Sequence, residues 1–99
     1  MYIGSVRDGF EWDDDKADVN FGTHGVSFDE AADVFYDSNR VEIFDEGHSE
    51  DEGRYVVIGF SASGRLLFVS FKPADNNLIR IIHARIAERK WQKFYEENN

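Results

Sequence analysis

The sequence YVVIGFSASGRLLFVSFK, residues 55–72, decides the fold. Two runs rich in Val, Ile, Leu and Phe, residues 55–61 and 65–72, are joined by Ala62-Ser63-Gly64. β-Branched and aromatic residues favour strands, and a short connection containing glycine favours a tight antiparallel turn. The stretch therefore predicts a β-hairpin in the middle of the chain.

The flanking sequence extends this hairpin in both directions. On the C-terminal side, it predicts a turn over 73–77, a strand over 78–84 and a helix from Arg85 to about Glu97. On the N-terminal side lies an acidic loop over 45–53. A short strand containing Val41, Ile43 and Phe44 precedes that loop.

Two helices are predicted before these strands, after a short strand Phe10-Glu11-Trp12. Asp13 is placed to cap the first helix and Gly25 to end it. Ser27-Phe28-Asp29-Glu30 forms a capping-box pattern that opens a second helix, running to about Tyr36. The resulting order is β-α-α-β-β-β-β-α. It predicts an α+β fold, an antiparallel sheet with two N-terminal helices and one C-terminal helix packed on one face and the other face open to a ligand.

Composition indicates one folded domain spanning residues 1–99, because 41% of the chain is hydrophobic and no linker-like segment interrupts it. There is no cysteine, which excludes disulfides and thiolate chemistry. No apolar run approaches the roughly 20 residues of a membrane span, and no signal-peptide pattern opens the chain. We therefore expect a soluble, cytoplasmic protein without a membrane partner.

Charge is divided unevenly along the chain, whose formal net charge is −9. Residues 1–53 carry 16 acidic side chains against 3 basic ones, whereas residues 54–99 carry 8 basic against 4 acidic. The total charge argues against general attraction to nucleic acid, since phosphate affinity depends on Lys and Arg. The basic half nevertheless allows a local phosphate site.

The segment Arg80-Ile81-Ile82-His83-Ala84-Arg85 concentrates groups capable of catalysis. Regular alternation would place residues 79, 81, 83 and 85 on one face of a strand, and Arg80 and Ile82 on the other. A histidine two residues from an arginine could transfer a proton beside a phosphate clamp. In the alternative interpretation, His83 packs at a sheet edge and Arg85 begins the last helix as a solvated charge.

Further basic side chains could surround that pair, or could be ordinary surface charges: Arg54, Arg65, Lys72, Arg89, Lys90 and Lys93. The surface interpretation is favoured for Lys90 and Lys93. His48 and the acidic residues around it could offer metal ligands, but their spacing matches no calcium loop or zinc pair, so a solvated loop is favoured. No phosphate-cradling glycine loop is present, and we expect no cofactor. His24 is interpreted as a residue that favours the negative end of a helix.

The order and spacing of many short motifs resemble those of one protein family. They run from Phe10 to about Tyr95: Phe10-Glu11-Trp12-Asp13, Lys16, Asn20, His24-Gly25-Val26-Ser27-Phe28, Glu30-Ala31, Phe35, Asp45, His48-Ser49, Glu52, Arg54, Gly59, Ser61, Gly64-Arg65, Ile79-Arg80-Ile81-Ile82, Ala84-Arg85, Ala87 and Arg89. Together they resemble the BrnT family of bacterial toxins, the ribonuclease halves of type II toxin–antitoxin pairs.

This resemblance implies a RelE-like fold and a metal-independent endoribonuclease that inhibits translation. It also implies an antitoxin partner of the BrnA type, whose ribbon-helix-helix domain binds DNA, so that the toxin contacts DNA only indirectly. In such ribonucleases the 2′-hydroxyl attacks the adjacent phosphate, which requires a base, an acid and cations. The candidates here are His83 as acid or base, Arg85 and Arg54 as phosphate stabilisers, and Arg80 and Arg89 beside them. Tyr95 is a further, more distant candidate.

Three positions depart from the family pattern. Thr23 stands where lysine is common, His83 where serine is frequent, and Trp91 where a charged residue is common. These departures leave a second hypothesis open, in which the chain keeps the fold and binds an antitoxin without cleaving RNA. A third hypothesis is a small metal-binding or unrelated α+β module.

Overall fold

A computed structural model describes residues 6–48 and 53–99 of the chain. The elements in these ranges are β1 (Val6–Arg7), β2 (Phe10–Glu11), α1 (Asp14–His24), α2 (Phe28–Asp33), β3 (Val41–Phe44), β4 (Tyr55–Phe60), β5 (Leu66–Pro73), β6 (Ile79–Ile86) and α3 (Arg89–Glu97). Short 3₁₀ turns occupy Val34–Tyr36, Glu46–His48 and Asp75–Asn77. The α+β class and the predicted central hairpin, β4–β5, agree with these elements.

Within the described residues, six strands form one sheet in the order β1-β2-β6-β5-β4-β3. Every neighbouring pair is antiparallel except β2 and β6, which run parallel. The expectation of a purely antiparallel sheet was therefore wrong. β2 and β6 are separated by most of the chain, so no tight hairpin forces them into opposite directions.

Helices α1 and α2 lie against one side of the sheet, here called the α1/α2 face. The predicted caps form: Asp13 accepts from the amides of Asp15 and Lys16, and Gly25 adopts the left-handed conformation with φ 69°. Ser27 Oγ accepts from the Glu30 amide at 3.0 Å. The main core fills the space between helices and sheet, and its largest fully buried side chains there include Phe28, Val57, Leu67, Val69 and Ile81.

The Glu30 carboxylate does not complete the predicted capping box. It accepts hydrogen bonds instead from Ser61 Oγ at 2.8 Å, from Ser63 Oγ at 2.7 Å and from the Arg65 guanidinium. A guanidinium and two hydroxyls donate more hydrogen bonds to a carboxylate than one backbone amide does, and those from the guanidinium are charge-assisted. Glu30 therefore ties α2 to the β4–β5 turn.

Helix α3 packs on the opposite side of the sheet, here called the α3 face. Trp91, Phe94 and Tyr95 meet the side chains of Val56, Ile58 and Phe68 in a second, smaller cluster. The prediction that all helices share one face was therefore wrong. Because both faces of β4 and β5 are apolar near the hairpin turn, each face needs a cover of its own.

The last strand is longer, and the last helix shorter, than the sequence pattern predicted. Arg85 and Ile86 pair with Phe68 and Leu67 as part of β6, and α3 begins only at Arg89. Arg85 is therefore a strand residue, which removes the alternative in which it opens the helix. In the part of the chain that the structure describes, no helix is long and apolar enough to cross a membrane.

Candidate functional site

A β-bulge in β6 determines which side chains share the α3 face. Ser70 pairs with His83 and Phe71 pairs with Ile81, so Ile82 is an extra residue without a partner on β5. An extra residue reverses the alternation beyond it. Ile81 and Ala84 consequently both belong to the main core, although regular alternation would have separated them.

By their register with Lys72, Ser70 and Phe68, the residues Arg80, His83 and Arg85 fall on the α3 side of β6. Regular alternation had predicted His83 and Arg85 on one face with residues 79 and 81, and Arg80 on the other. That prediction was correct for His83 with Arg85 and wrong for Arg80. The register thus gives these three residues the same side of β6, while the His83 ring itself contacts α1.

Lys72 lies on this side of the sheet as well. The sequence pattern did not decide whether Lys72 belongs to the site or is an ordinary surface charge. Lys72 is the register partner of Arg80, as Phe68 is of Arg85. Neighbouring strands are about 5 Å apart, so Lys72 and Arg80 lie side by side. Arg54 lies just before β4, and its carbonyl accepts from the Asp45 amide at 2.8 Å. By alternation it shares the face of Val56, which packs in the α3 cluster.

The two arginines of β6 have different surroundings. The Arg80 guanidinium forms an ion pair with Glu11 Oε2 of β2 at 2.7 Å. The Arg85 guanidinium stacks over the Phe68 ring, with its central carbon 4.4 Å from the ring centroid. Its Nε is buried and has no hydrogen-bond partner among the described residues. Arg85 Nη2 lies 3.9 Å from Glu88 Oε1, so a carboxylate holds Arg85 less closely than Glu11 holds Arg80.

His83 contacts a residue that the sequence pattern did not connect with it. Its Nε2 lies 3.1 Å from Nε2 of His24, the last residue of α1, and the two rings meet edge to face. Burial lowers the pKa of His83, and repulsion from His24 and Arg85 lowers it further. His83 is therefore mainly neutral at neutral pH, the state in which an imidazole accepts a proton. The interpretation of His24 as a helix-end residue missed this contact, because sequence spacing carries no signal for it.

Asn20 fixes α1 against β6 beside this pair. Its buried side chain donates to the Ala84 carbonyl at 2.8 Å and accepts from the Ala84 amide at 3.1 Å. It also donates to the Val26 carbonyl at 3.0 Å. Asn20 thus takes the place of a neighbouring strand at the edge of β6, next to His83.

Three other sequence candidates have different surroundings. Arg89 is exposed at the start of α3. Arg65 is bound to Glu30, so its role is structural. The Tyr95 hydroxyl donates to Asp37 Oδ2 at 2.6 Å. Burial and this bond raise the pKa of Tyr95 to about 12, which makes its hydroxyl a poor proton donor.

The acidic loop considered as a metal site lies largely outside the described residues, including Glu50, Asp51 and Glu52. Across 6–48 and 53–99, the structure contains no group of three or more His, Asp or Glu side chains placed to hold a metal ion.

Comparison with known proteins gives a family match and a structural match. The family model described as the ribonuclease toxin BrnT of type II toxin–antitoxin systems matches residues 12–90. The crystal structure of the Brucella abortus ribonuclease toxin BrnT superposes with a TM-score of 0.61 at 21% sequence identity. That alignment covers 79% of this chain and 94% of the Brucella chain. At this identity the structural match supports the shared fold. No curated protein matches the chain.

Proposed function

Since the chain belongs to the BrnT family of ribonuclease toxins of type II toxin–antitoxin systems, we propose that its basic sheet surface cleaves RNA. The observation that supports this proposal is the β-bulge at Ile82, which gives Arg80, His83 and Arg85 the same side of β6 by register. A proton acceptor beside cations is what attack by a 2′-hydroxyl on its own phosphate requires.

The proposed reaction needs no metal ion. The 2′-oxygen forms a bond to phosphorus and the bond from phosphorus to the 5′-oxygen breaks. His83 accepts the proton of the 2′-hydroxyl, and a water molecule gives a proton to the departing 5′-oxygen. Arg85 and Arg54 stabilise the extra negative charge on the phosphate, because charged donors held in place bind the transition state more strongly than the ground state.

Arg80 and Arg89 have secondary roles in this proposal. Arg80 is already paired with Glu11, so it contributes to the local positive potential and orients one edge of the site. Arg89, exposed at the start of α3, contacts RNA outside the reacting phosphate.

The biological setting that we propose follows from the family. The toxin has a RelE-like arrangement, acts in the cytoplasm and inhibits translation by cutting RNA. It is neutralised by a BrnA-type ribbon-helix-helix antitoxin, which carries the complex to DNA. The acidic half of the chain suits a basic antitoxin surface, since opposite charges favour encounter and register.

Purified protein and a defined RNA test the reaction. We expect cleavage in the presence of EDTA, products ending in a 2′,3′-cyclic phosphate, and no cleavage of RNA carrying 2′-O-methyl groups. Arg85→Ala or His83→Ala should each reduce the rate by about 100-fold or more. The matched control is Lys93→Ala, an exposed residue of α3, which should stay within about twofold of the unmodified chain.

Induced expression in bacteria tests the toxin role. We expect growth to stop with the unmodified chain and to continue with Arg85→Ala at equal expression. Growth with the unmodified chain, together with intact RNA in the purified assay and binding to an antitoxin, would establish the alternative of a catalytically inactive binding partner. Loss of cleavage in EDTA would contradict the metal-free reaction.

A further inference from the structure

The contact between His24 and His83 joins two separately anchored elements. His24 ends α1, where Gly25 stops the helix and donates its amide to the Phe21 carbonyl at 2.8 Å. His83 lies between the bulged residue and Ala84, whose backbone is held at both polar groups by Asn20. The 3.1 Å separation of the two Nε2 atoms is therefore set by backbone anchoring on both sides.

A hydrogen bond between two imidazoles restricts both tautomers. A neutral imidazole has one N–H donor and one bare acceptor nitrogen, so one Nε2 must carry the proton and the other must not. If His83 is the donor, its Nδ1 holds a lone pair. Because Nε2 faces His24, Nδ1 is the nitrogen that remains for a substrate.

We propose that His24 is a positioning residue that holds the proton of His83 on Nε2 and so keeps Nδ1 available as the base. In the reaction, Nδ1 takes the proton of the 2′-hydroxyl as the 2′-oxygen binds phosphorus and the 5′-oxygen leaves with a proton from water. The resulting imidazolium donates from Nε2 to His24 and then returns its extra proton to solvent. This inference rests on the proposed function. His24 acts on the reaction only by positioning His83.

The charges around the pair are compatible with a neutral His83. Asp15 and Lys16 of α1 line the same cavity of about 340 Å³, with opposite signs. Arg85 lies on β6, and on β5 the register partner is the uncharged Ser70. The pKa of His83 lies below 6.5 through burial first and through repulsion from His24 and Arg85 second. The neutral form that the hydrogen bond needs is thus the favoured one near pH 7.

Imidazole ¹⁵N NMR tests the pairing without RNA. In the unmodified chain, we expect the His83 proton on Nε2, with Nδ1 unprotonated. In His24→Ala, we expect a mixture of both tautomers, because Nε2 loses its hydrogen-bond acceptor. In His24→Gln, the amide oxygen can accept from Nε2 and should restore the single tautomer.

Cleavage kinetics test the consequence for the reaction. We expect His24→Ala to lower kcat about tenfold or more with little change in KM, and His24→Gln to recover most of that loss. Thr23→Ala, at a residue that lines the same cavity next to His24, is the control and should keep the kcat and the KM of the unmodified chain.

Each other outcome is informative. A His24→Ala variant with unchanged kcat and an unchanged His83 tautomer would overturn the inference, as would an equal loss in Thr23→Ala. Failure of the proposed function gives a different result. If His83→Ala cleaves RNA normally, His83 is not the base, and the catalytic part of the inference is then wrong as well. The NMR measurement still tests the hydrogen bond between His24 and His83 in that case.

Discussion

At the residue scale, Glu30 is an acidic side chain held by hydrogen bonds from three neighbouring side chains. Hydrogen bonds from Arg65 lower its pKa most, those from Ser63 and Ser61 lower it further, and burial opposes them; the pKa falls from 4.5 to about 2. Its side chain is 17% exposed, so solvent screens the Arg65 pair only partly. Glu30 therefore stabilises the joint between α2 and the β4–β5 turn in its charged form.

We predict that Glu30→Gln lowers the free energy of unfolding by about 2 kcal/mol at pH 7. The folded chain binds the carboxylate proton more weakly than the unfolded chain does. The stabilisation is therefore complete above about pH 4.5 and disappears as the pH falls towards 2. Urea denaturation at several pH values measures the difference, which should shrink across that window.

Glu97→Gln, at an exposed position near the end of α3, provides the control for this prediction. It should change the free energy of unfolding by less than about 0.5 kcal/mol at any of these pH values. A constant difference between Glu30→Gln and the unmodified chain from pH 7 to pH 3 would contradict the assigned role of the charge.

At the scale of elements, β6 is held on one side by β5 and on the other by the short β2 and by Asn20. The β2 pairing covers Ile79 and Arg80 alone, and the Asn20 side chain covers the backbone at Ala84. A backbone polar group buried without a partner is costly, so an amide that supplies both a donor and an acceptor is well suited to this edge.

We predict that Asn20→Ala lowers the free energy of unfolding by about 2 to 3 kcal/mol, because it leaves three buried backbone groups without their side-chain partner. Hydrogen exchange at the Ala84 amide should accelerate more than exchange in β4. Asn39→Ala, an exposed substitution in the turn before β3, should leave both quantities unchanged. Equal exchange at Ala84 in Asn20→Ala and in the unmodified chain would show that the clamp contributes nothing.

At the scale of the whole molecule, the acidic and basic halves of the chain contribute to different surfaces. The acidic half supplies α1 and α2 on one side of the sheet, and the basic half supplies most of the α3 face. A net charge of −9 opposes RNA at long range, whereas Lys72, Arg80 and Arg85 act at short range on one face. On the proposed function, RNA binding therefore depends on a few phosphates in direct contact.

We predict a logarithmic salt dependence of RNA binding with a slope between about −2 and −3.5, as expected for three to five neutralised phosphates on a single strand. Uncleavable 2′-O-methyl RNA allows the affinity to be measured without reaction. Lys72→Ala should make the slope shallower by about 0.7, and Lys93→Ala should not change it. An equal effect of the two substitutions would indicate diffuse attraction rather than a site on the α3 face.

The sequence by itself determined the elements whose signals are local. The hairpin at residues 55–72, the caps at Asp13 and Ser27 and the stop at Gly25 all depend on neighbouring residues, and each forms where it was predicted. The motif order also sufficed to indicate the family. A joint catalytic role of Arg54 and His83 remains a prediction.

The tertiary structure alone decided how these elements meet. Alternation could not reveal the extra residue at Ile82, because a bulge is defined by the partner strand; this single residue put Arg80 on the face of His83. Likewise, the end of β6 depended on its pairing with β5. The side of the sheet on which α3 packs depended on the apolar residues that both faces present. The contact of His24 with His83 joins residues 59 positions apart, and only packing of α1 against β6 brings them together.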